Sequence, residues 1–382
     1  MLKAVFLLIL AAAALYGLIV AAFYFYLGDP SDKAPLYEGV IIADERQRPV
    51  ASRFHHASTA AEVVEGIDLK GRNIVITGGH SGTGLEAVRA LAARGAHVTA
   101  LARDIERAGA NLADMPNVTV EYVDLLKPAS IQAFAERFVA SGRPLHVLIN
   151  GAAIMATPLE YDRRGYERQF ATNVLGAYEL TVRLLPALVR TNGARVVNLA
   201  SRGHRAGGVL FDDIHFRRTE YSGMRAYAQS KTALILLSVK LDEMLKVGNI
   251  RVFAVHPGPV PATDLFAAGK VGYGSPGLLR FAAKVWRVLH ATEALNLVRR
   301  PKNVGDVYKT PAQGAATTVW AATSAELADS GGVYLEDSNI APIMPDGSPA
   351  PFGVRPWALD PFSARRMLAL CVEMTGVAFE TP

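Results

Sequence analysis

The sequence of 382 residues contains a single cysteine, Cys371, so no intramolecular disulfide can form, and a catalytic thiol is disfavoured. Glycine and proline are too few for a fibrous or low-complexity protein, and the 33 Gly and 21 Pro show no period. Only 20% of the residues are charged and 51% are hydrophobic, which excludes a disordered chain. The fold must therefore be stabilised by its own core, and we expect Cys371 to be a packing residue in the last helix.

Metal-ligand and nucleic-acid patterns are missing as well. No cluster of His, Cys, Asp and Glu has the spacing of a metal site, so we expect no bound metal. The formal net charge is +5, but the basic residues lack the interleaved aromatic side chains that stack on bases. We therefore expect no nucleic-acid partner.

Charge is absent from residues 4–27, where only Gly17 falls outside the hydrophobic set. As a helix this stretch would be about 36 Å long, enough to cross a hydrocarbon core of roughly 30 Å. We expect residues 1–28 to be a single-pass transmembrane anchor, in the endoplasmic reticulum of a eukaryote or the inner membrane of a bacterium. A cleaved signal peptide, with its usual apolar region of about 7–15 residues, and a buried N-terminal helix are the alternatives. The flanking basic residues do not decide the orientation, and a cytoplasmic position for the rest of the chain is the working assumption.

Residues 29–57 carry charged residues and proline without any period, which predicts a juxtamembrane linker. From residue 58 to 340, apolar runs alternate with amphipathic stretches, as in a single α/β domain with a Rossmann-type doubly wound parallel sheet. Residues 341–382 form a C-terminal extension with a helix from Asp360-Pro361 to Gly376, expected to pack on the core or on a second copy of the chain. Predicted strands are 73–77, 97–101, 118–123, 145–150, 195–199, 251–255 and 333–335, and the clearest helices are 84–94, 129–140, 161–189 in two pieces, and 227–245.

The first predicted strand leads into a glycine-rich loop and then an amphipathic helix. In this position glycines allow a tight turn and a close approach of the backbone to a pyrophosphate, which binds at the positive end of the helix. The loop therefore predicts a dinucleotide site, formed by Thr77, Gly78, Ser81, Gly82, Thr83 and Gly84.

The end of the second strand bears on which dinucleotide binds. NAD sites usually have a carboxylate at the strand tip, whereas this chain has Ala102 followed by Arg103, which suits a 2′-phosphate. The expected cofactor is therefore NADP(H). Two alternatives are that Arg103 is only a solvated charge and that Asp104 is a displaced NAD-binding acid.

Tyr227 and Lys231 lie four residues apart, on one face of a predicted helix. A phenol with a pKa near 10 is a poor catalyst at neutral pH, and a nearby cation would lower its pKa towards a useful range. Taken alone, such a pair is more often two surface neighbours. The pair becomes informative only together with the other motifs of the chain.

These motifs resemble, in order and spacing, those of the short-chain dehydrogenase/reductase family over about residues 58–340. The segments Ser201-Arg202-Gly203-His204, Phe211-Asp212-Asp213 and Tyr227-Ala228-Gln229-Ser230-Lys231 are most similar to its retinol dehydrogenase-like branch. The matching positions are Thr77-Gly78-x-x-x-Gly82-x-Gly84, Asp124, Asn150, Asn173, Ser201, Tyr227-x-x-x-Lys231 and Pro257-Gly258.

The resemblance implies catalytic roles for four residues. Tyr227 would be the general acid in reduction and the base in oxidation, and Lys231 would bind the nicotinamide ribose and lower the Tyr227 pKa. Ser201 would donate a hydrogen bond to the substrate carbonyl, and Asn173 would hold a water of the proton relay. Structural alternatives exist for Ser201, as a turn cap, and for Asn173, as a backbone support. His204 and His256 are interpreted as structural.

The resemblance also implies the remaining cofactor contacts, with Asp124 on the adenine and Pro257-Gly258 beside the nicotinamide. The family's Asn-Asn-Ala-Gly stretch is Asn150-Gly151-Ala152-Ala153 here, and the expected threonine is one position late, at Thr263. The full implied set is Thr77, Gly78, Ser81, Gly82, Thr83, Gly84, Arg103, Asp124, Asn150, Gly151, Ala152, Tyr227, Lys231, Pro257, Gly258, Val260 and Thr263.

Residues 263–311 are long for a connection and are expected to be a helical lid over the substrate. Residues 277–302 carry six basic residues and one acidic residue, either as a solvated face or as a contact with anionic lipid. The resulting prediction is a membrane-anchored NADP(H)-dependent oxidoreductase for a lipophilic carbonyl or alcohol of retinoid, steroid or lipid type. The alternative is a non-catalytic NADP(H)-binding membrane protein of the same fold, and a homodimer is a further expectation. An extended-branch epimerase is disfavoured by the glycine spacing.

Overall fold

The computed structural model describes residues 44–260, 263, 265 and 308–379. The predicted anchor at 1–28, the first half of the predicted linker and nearly all of the predicted lid lie outside these residues. Within the described ranges, no helix has both the length and the apolar composition needed to cross a membrane.

The described strands are β1 (Asn73–Thr77), β2 (His97–Ala102), β3 (Val118–Tyr122), β4 (Val147–Asn150), β5 (Arg195–Leu199), β6 (Arg251–His256), β7 (Val333–Glu336) and β8 (Asn339–Ile340). They form a sheet in the order β3-β2-β1-β4-β5-β6-β7-β8, parallel throughout except for the antiparallel pair β7 and β8. This confirms the predicted doubly wound sheet, in which the strand order reverses between β1 and β4. The edge strand β8 was not predicted, because two residues are too few to show a pattern.

Helices connect the strands, and several begin at the side-chain caps that their sequences indicate. Thr59 and Glu62 form a capping box at the start of one helix, and Thr310 and Gln313 form a second one. The helices are α1 (Ala60–Val63), α2 (Gly82–Ala93), α3 (Ile105–Leu112), α4 (Pro128–Ala140), α5 (Arg168–Phe170), α6 (Gly176–Leu188), α7 (Gly223–Leu245), α8 (Pro311–Thr323) and α9 (Pro361–Thr375).

The helix predicted at 161–189 begins later than expected. Residues 162–166 form a tight turn in which Asp162 N donates to Tyr166 O and Gly165 has a φ of +83°. The carboxylate of Glu167 then accepts hydrogen bonds from the backbone of Gln169 and Phe170 and caps α5. A π-helical turn, Ala171–Leu175, joins α5 to α6, so the two pieces are continuous from residue 168.

The sheet is covered on both faces, and alternate residues of a strand point to opposite cores. On β1, Val75 belongs to the core shared with α4, α6, α7 and α9, whereas Ile74 and Ile76 belong to the core shared with α1, α2 and α8. Because the strands are buried on both sides, their carboxyl ends at one edge are where functional groups can reach solvent.

Both ends of the described chain pack on this sheet or its helices. The buried side chain of Gln47, within the predicted linker, donates to the carbonyl oxygens of Tyr334 and Ala341 and accepts from Tyr334 N. At the other end, α9 packs on α7, and the buried Cys371 is a packing residue as expected.

Candidate active site

The predicted site residues converge at the carboxyl ends of β1, β4, β5 and β6, beside the point where the strand order reverses. Thr77 and Asn150 end their strands, Ser201 follows β5, and Pro257 and Gly258 follow β6. A crevice at this edge is where doubly wound folds bind dinucleotides.

The glycine-rich loop is shaped so that side chains would obstruct it. A Cβ built on Gly84 would lie 2.2 Å from the carbonyl oxygen of Gly78, and Gly78 itself has a φ of +73°. Ser81, at the N-cap of α2, makes no side-chain capping bond within the described residues. The backbone and the amino end of α2 thus form a cradle that fits the pyrophosphate of a dinucleotide.

The unusual Asn150-Gly151-Ala152 segment preserves a tight contact with this loop. The hydroxyl of Thr77 accepts hydrogen bonds from the backbone of both Gly151 and Ala152, at 3.0 Å each. A Cβ on Gly78 would lie 3.0 Å from the Ala152 backbone, so the two segments are packed without a gap.

The side chain of Asn150 is used inside the fold. Its amide nitrogen donates to Thr181 Oγ1 at 3.0 Å and to Asn198 Oδ1 at 2.8 Å, in a buried network. A contact between Asn150 and the cofactor would therefore use its backbone. The sequence motif alone does not reveal this orientation.

The tip of β2 has the composition that the NADP(H) prediction needs. Ala102 is buried, and Arg103 is exposed. The carboxylate of Asp104 accepts a hydrogen bond from Arg107 N at 3.0 Å and caps α3, so this acid has a structural task. After β3, the carboxylate of Asp124 accepts a hydrogen bond from Leu126 N at 3.1 Å.

Tyr227, Ser201 and Lys231 form the chemical centre of the site. The Ser201 hydroxyl oxygen and the Tyr227 ring lie beside each other, 3.3 and 3.1 Å from the position that a Cβ on Gly203 would occupy. Lys231, one helical turn further along α7, has its Nζ 5.6 Å from the Tyr227 ring centroid and donates to the carbonyl oxygen of Leu199 at 2.6 Å. A Cβ on Gly203 would lie 3.1 Å from the Tyr227 ring, so the turn after Ser201 closely covers that ring.

Burial controls the ionisation of this centre. It raises the pKa of Tyr227 to about 12, although the neighbouring Ser201 hydroxyl opposes the rise. It also lowers the pKa of Lys231 to about 7, because a buried ammonium loses its hydration. Desolvation is thus the largest cause of the shift in both groups, and the lowering of the Tyr227 pKa by Lys231 stays a prediction.

Asn173 lies in the π-helical turn, and its side chain connects two segments of the site. Its Oδ1 accepts from Ile154 N at 2.9 Å, and its Nδ2 donates to Ile154 O and to Ser230 Oγ at 3.0 Å each. The side chain is thus engaged with protein atoms. A relay water at this position would have to bind the backbone.

The turn after β6 is held by residues that sequence reasoning did not find. Gly258 has a φ of +84°, and a Cβ there would lie 2.6 Å from the stem of Lys309, a buried lysine paired with Asp337. Thr263 donates its hydroxyl to Val260 O at 3.1 Å, and its methyl group lies against Gly82. No local pattern marks Lys309, because its partners are brought together only by the sheet.

His204 and His256 are both buried, which agrees with the structural interpretation. Burial lowers the pKa of His204 to about 3 and the pKa of His256 well below its usual value. Among the described residues, no cluster could hold a metal ion.

A glycine cradle at the strand reversal, with the buried Tyr227 and Lys231 and the partly buried Ser201 beside it, defines a nicotinamide-dependent oxidoreductase of the Rossmann type. A family model described as "short chain dehydrogenase" matches residues 72–270, and the chain belongs to this family. It resembles the retinol dehydrogenase-like members, as the motifs predicted.

Three similar proteins illustrate the relationship. "Short-chain dehydrogenase TIC 32 A, chloroplastic" of Brassica napus is 36% identical over 76% of this chain and 87% of its own length. "Retinol dehydrogenase 12" of Mus musculus is 34% identical over 71% of this chain and 79% of its own length. A crystal structure of a "putative uncharacterized protein" from Mycobacterium paratuberculosis covers 85% of this chain and 99% of that chain, with a TM-score of 0.60 and 28% identity.

Proposed function

We propose that the protein interconverts a lipophilic carbonyl compound and its alcohol with NADP(H). The observation that carries this proposal is that the Tyr227 ring and the Ser201 hydroxyl lie side by side, with Lys231 behind them, at the edge of the glycine cradle. A protein that only bound the cofactor would have no need of this buried arrangement.

The bound nicotinamide would supply or accept the hydride. The hydroxyl groups of Ser201 and Tyr227 would then donate hydrogen bonds to the carbonyl oxygen, where negative charge develops during reduction. With its pKa raised to about 12, the Tyr227 phenol is protonated at neutral pH and can deliver its proton to this oxygen. Oxidation needs the phenolate, so we expect the oxidative rate to increase with pH into the alkaline range.

Replacement of Tyr227 by Phe tests the chemistry. We expect the Y227F enzyme to lose at least about 99% of turnover, because the acid is removed, while NADPH still binds. Y161F is the matched control, since the Tyr161 hydroxyl donates to His215 O at the surface. The reference rate is the rate at which the wild-type enzyme oxidises NADPH with a retinoid aldehyde, a steroid ketone or a long-chain aldehyde as the substrate. Turnover that survives in Y227F would contradict the mechanism. If the wild type binds NADPH but turns over none of these carbonyls, the non-catalytic alternative is favoured.

The preference for NADP(H) is supported by the tip of β2. The strand ends on Ala102, the Asp104 carboxylate is used as a helix cap, and Arg103 is exposed beside them. A guanidinium in this position can form charge-assisted bonds with a 2′-phosphate, whereas NAD sites place a carboxylate here.

Binding of both cofactors to Arg103→Ala tests this preference. We expect NADPH to bind at least about ten-fold more weakly and NADH to be little changed, because only NADPH carries the 2′-phosphate. Arg137→Ala, which removes an exposed arginine paired with Glu121, is the control. Unchanged NADPH affinity in Arg103→Ala, or tighter binding of NADH by the wild type, would refute the assignment.

The membrane location and the substrate class rest on the apolar residues 4–27 and on the relative whose name refers to retinol. We propose a single-pass anchor and a basic lid segment at 277–302 that meets anionic headgroups and admits the substrate from the bilayer. Flotation of the full chain and of a chain without residues 1–28, on neutral and anionic vesicles, separates the two contributions. An undiminished soluble fraction for the full chain would exclude the anchor. Light scattering in detergent tests the expected homodimer.

A further inference from the structure

His204 is a fully buried histidine, three positions after Ser201, that the proposed chemistry does not use. Its ring packs against Tyr334, with centroids 5.0 Å apart. Its Nδ1 lies 2.7 Å from the carbonyl oxygen of Ser201, and its Nε2 lies 3.2 Å from the backbone nitrogen of Arg355. Both ring nitrogens thus have defined partners.

These partners determine the protonation state of the ring. A carbonyl oxygen can only accept, so Nδ1 must carry the hydrogen, and a backbone N–H can only donate, so Nε2 must be bare. His204 is therefore the neutral Nδ1–H tautomer. Burial lowers its pKa to about 3, which keeps this state throughout the neutral range. A ring that is held in this one tautomer transfers no proton.

One ring nitrogen of His204, Nδ1, contacts the backbone of Ser201. The Ser201 carbonyl accepts from both the backbone N and the Nδ1 of His204, and the Ser201 hydroxyl accepts from Gly203 N at 3.0 Å. The same short turn therefore holds this serine at its carbonyl and at its hydroxyl. The hydroxyl group is the one that lies beside the Tyr227 ring.

The other ring nitrogen, Nε2, contacts the C-terminal extension. The Arg355 amide donates to His204 Nε2, and the buried Arg355 guanidinium donates to the carbonyl oxygens of Pro345 and Ser348. The hydroxyl of Thr232, next to Lys231 on α7, donates to the carbonyl oxygen of Gly207 at 2.7 Å and lies 3.2 Å from that of His204. His204 thus joins the serine turn to the C-terminal extension through its two ring nitrogens.

We propose that His204 is a positioning residue, which orients Ser201 towards Tyr227 through its Nδ1–H and secures the serine turn to the C-terminal extension through its Nε2. This inference rests on the proposed function, because orientation of Ser201 matters only if Ser201 and Tyr227 perform the chemistry. Small displacements of a reacting group reduce rates strongly, so the loss of the Nδ1 bond should be visible in turnover.

Two substitutions separate the hydrogen bond made by Nδ1 from the one made by Nε2. In His204→Asn the side-chain nitrogen can take the place of Nδ1 and keep the bond to Ser201, but nothing reaches Arg355. In His204→Gln the longer side chain can present an oxygen near the place of Nε2 and keep the bond from Arg355, but the donor to Ser201 is lost. Each variant loses one hydrogen bond, so a purely structural role predicts similar stability and similar kcat for the two.

A positioning role predicts a split between the two variants. We expect kcat of His204→Gln to fall roughly ten-fold, with an unchanged or larger isotope effect on kcat with 4-deuterated NADPH, and kcat of His204→Asn to stay within about two-fold of the wild type. The NADPH dissociation constant should be unchanged in both. Rates are expressed per NADPH-binding site, so misfolded molecules do not count.

Equal kcat in the Asn and Gln variants, or a loss confined to Asn, would overturn the positioning role. The Y227F enzyme, measured in parallel, keeps this result separate from the proposed function. If Y227F turns over as fast as the wild type, or the wild type reduces none of the carbonyls, the proposed function fails and the role of His204 fails with it. If Y227F is inactive and His204→Gln is fully active, only the role of His204 fails.

Discussion

The side chain of Gln47 makes a quantitative prediction about where the folded domain begins. Its amide donates two hydrogen bonds, to Tyr334 O in β7 and to Ala341 O just after β8, and accepts one from Tyr334 N, at 2.6 to 2.9 Å. Gln47→Ala removes all three. The carbonyl oxygen of Tyr334 keeps a bond from Ala341 N, but the Tyr334 N–H and the Ala341 carbonyl lose the partners that Gln47 supplies.

The size of the effect follows from these two orphaned backbone groups. A buried polar group without a partner costs about 1–3 kcal/mol, so we expect Gln47→Ala to lower the free energy of unfolding by about 2–5 kcal/mol. Urea unfolding of the full chain, followed by tryptophan fluorescence, measures this difference. Gln132→Ala is the matched control, because the Gln132 amide bonds only to Glu136 at the exposed surface of α4, and its effect should be below about 0.5 kcal/mol.

A loss in Gln47→Ala no larger than that of the control would refute this reasoning. Residues 44–57 would then be a tether, as their sequence suggests, and would not contribute to the folded domain.

Two further predictions concern the cofactor loop and a buried acid. Gly84→Ala should abolish NADPH binding in a titration, because its Cβ would lie 2.2 Å from Gly78 O, whereas Gly109→Ala, with open space around it in α3, should bind normally. Glu336 is buried with its pKa raised from 4.5 to about 7, so the unfolded carboxyl ionises first as pH rises and the folded state loses stability between these values. Glu336→Gln can still accept from Gly353 N, and it should stabilise the protein by up to about 3 kcal/mol at pH 8 and by little at pH 4.5. A gain of equal size at both pH values would contradict the Glu336 assignment, and normal NADPH binding by Gly84→Ala would contradict the loop geometry.

Much of the fold could be predicted because its signals are local. The apolar run of β1, the glycines after it and the amphipathic α2 are contiguous, and each follows from backbone sterics and side-chain periodicity. Caps such as Thr59 with Glu62 are equally local. The start of α5 was missed because the turn before it depends on the cap from Glu167 and on the positive φ of Gly165, which no periodicity shows.

The sequence by itself determined the alternation of strands and helices, the glycine loop and the order of the Ser201, Tyr227 and Lys231 motifs. Only the tertiary structure decided how these groups are used. It turned the Asn150 side chain into the core, joined His204 to Arg355, and placed Gln47 on β7.

Burial, which no motif encodes, also sets the ionisation of the site, since it raises the pKa of Tyr227 and lowers the pKa of Lys231. The physical reason is the same throughout. Backbone conformation follows from neighbours in the chain, whereas hydrogen-bond partners and solvation depend on segments that meet only when the sheet and its helices have assembled.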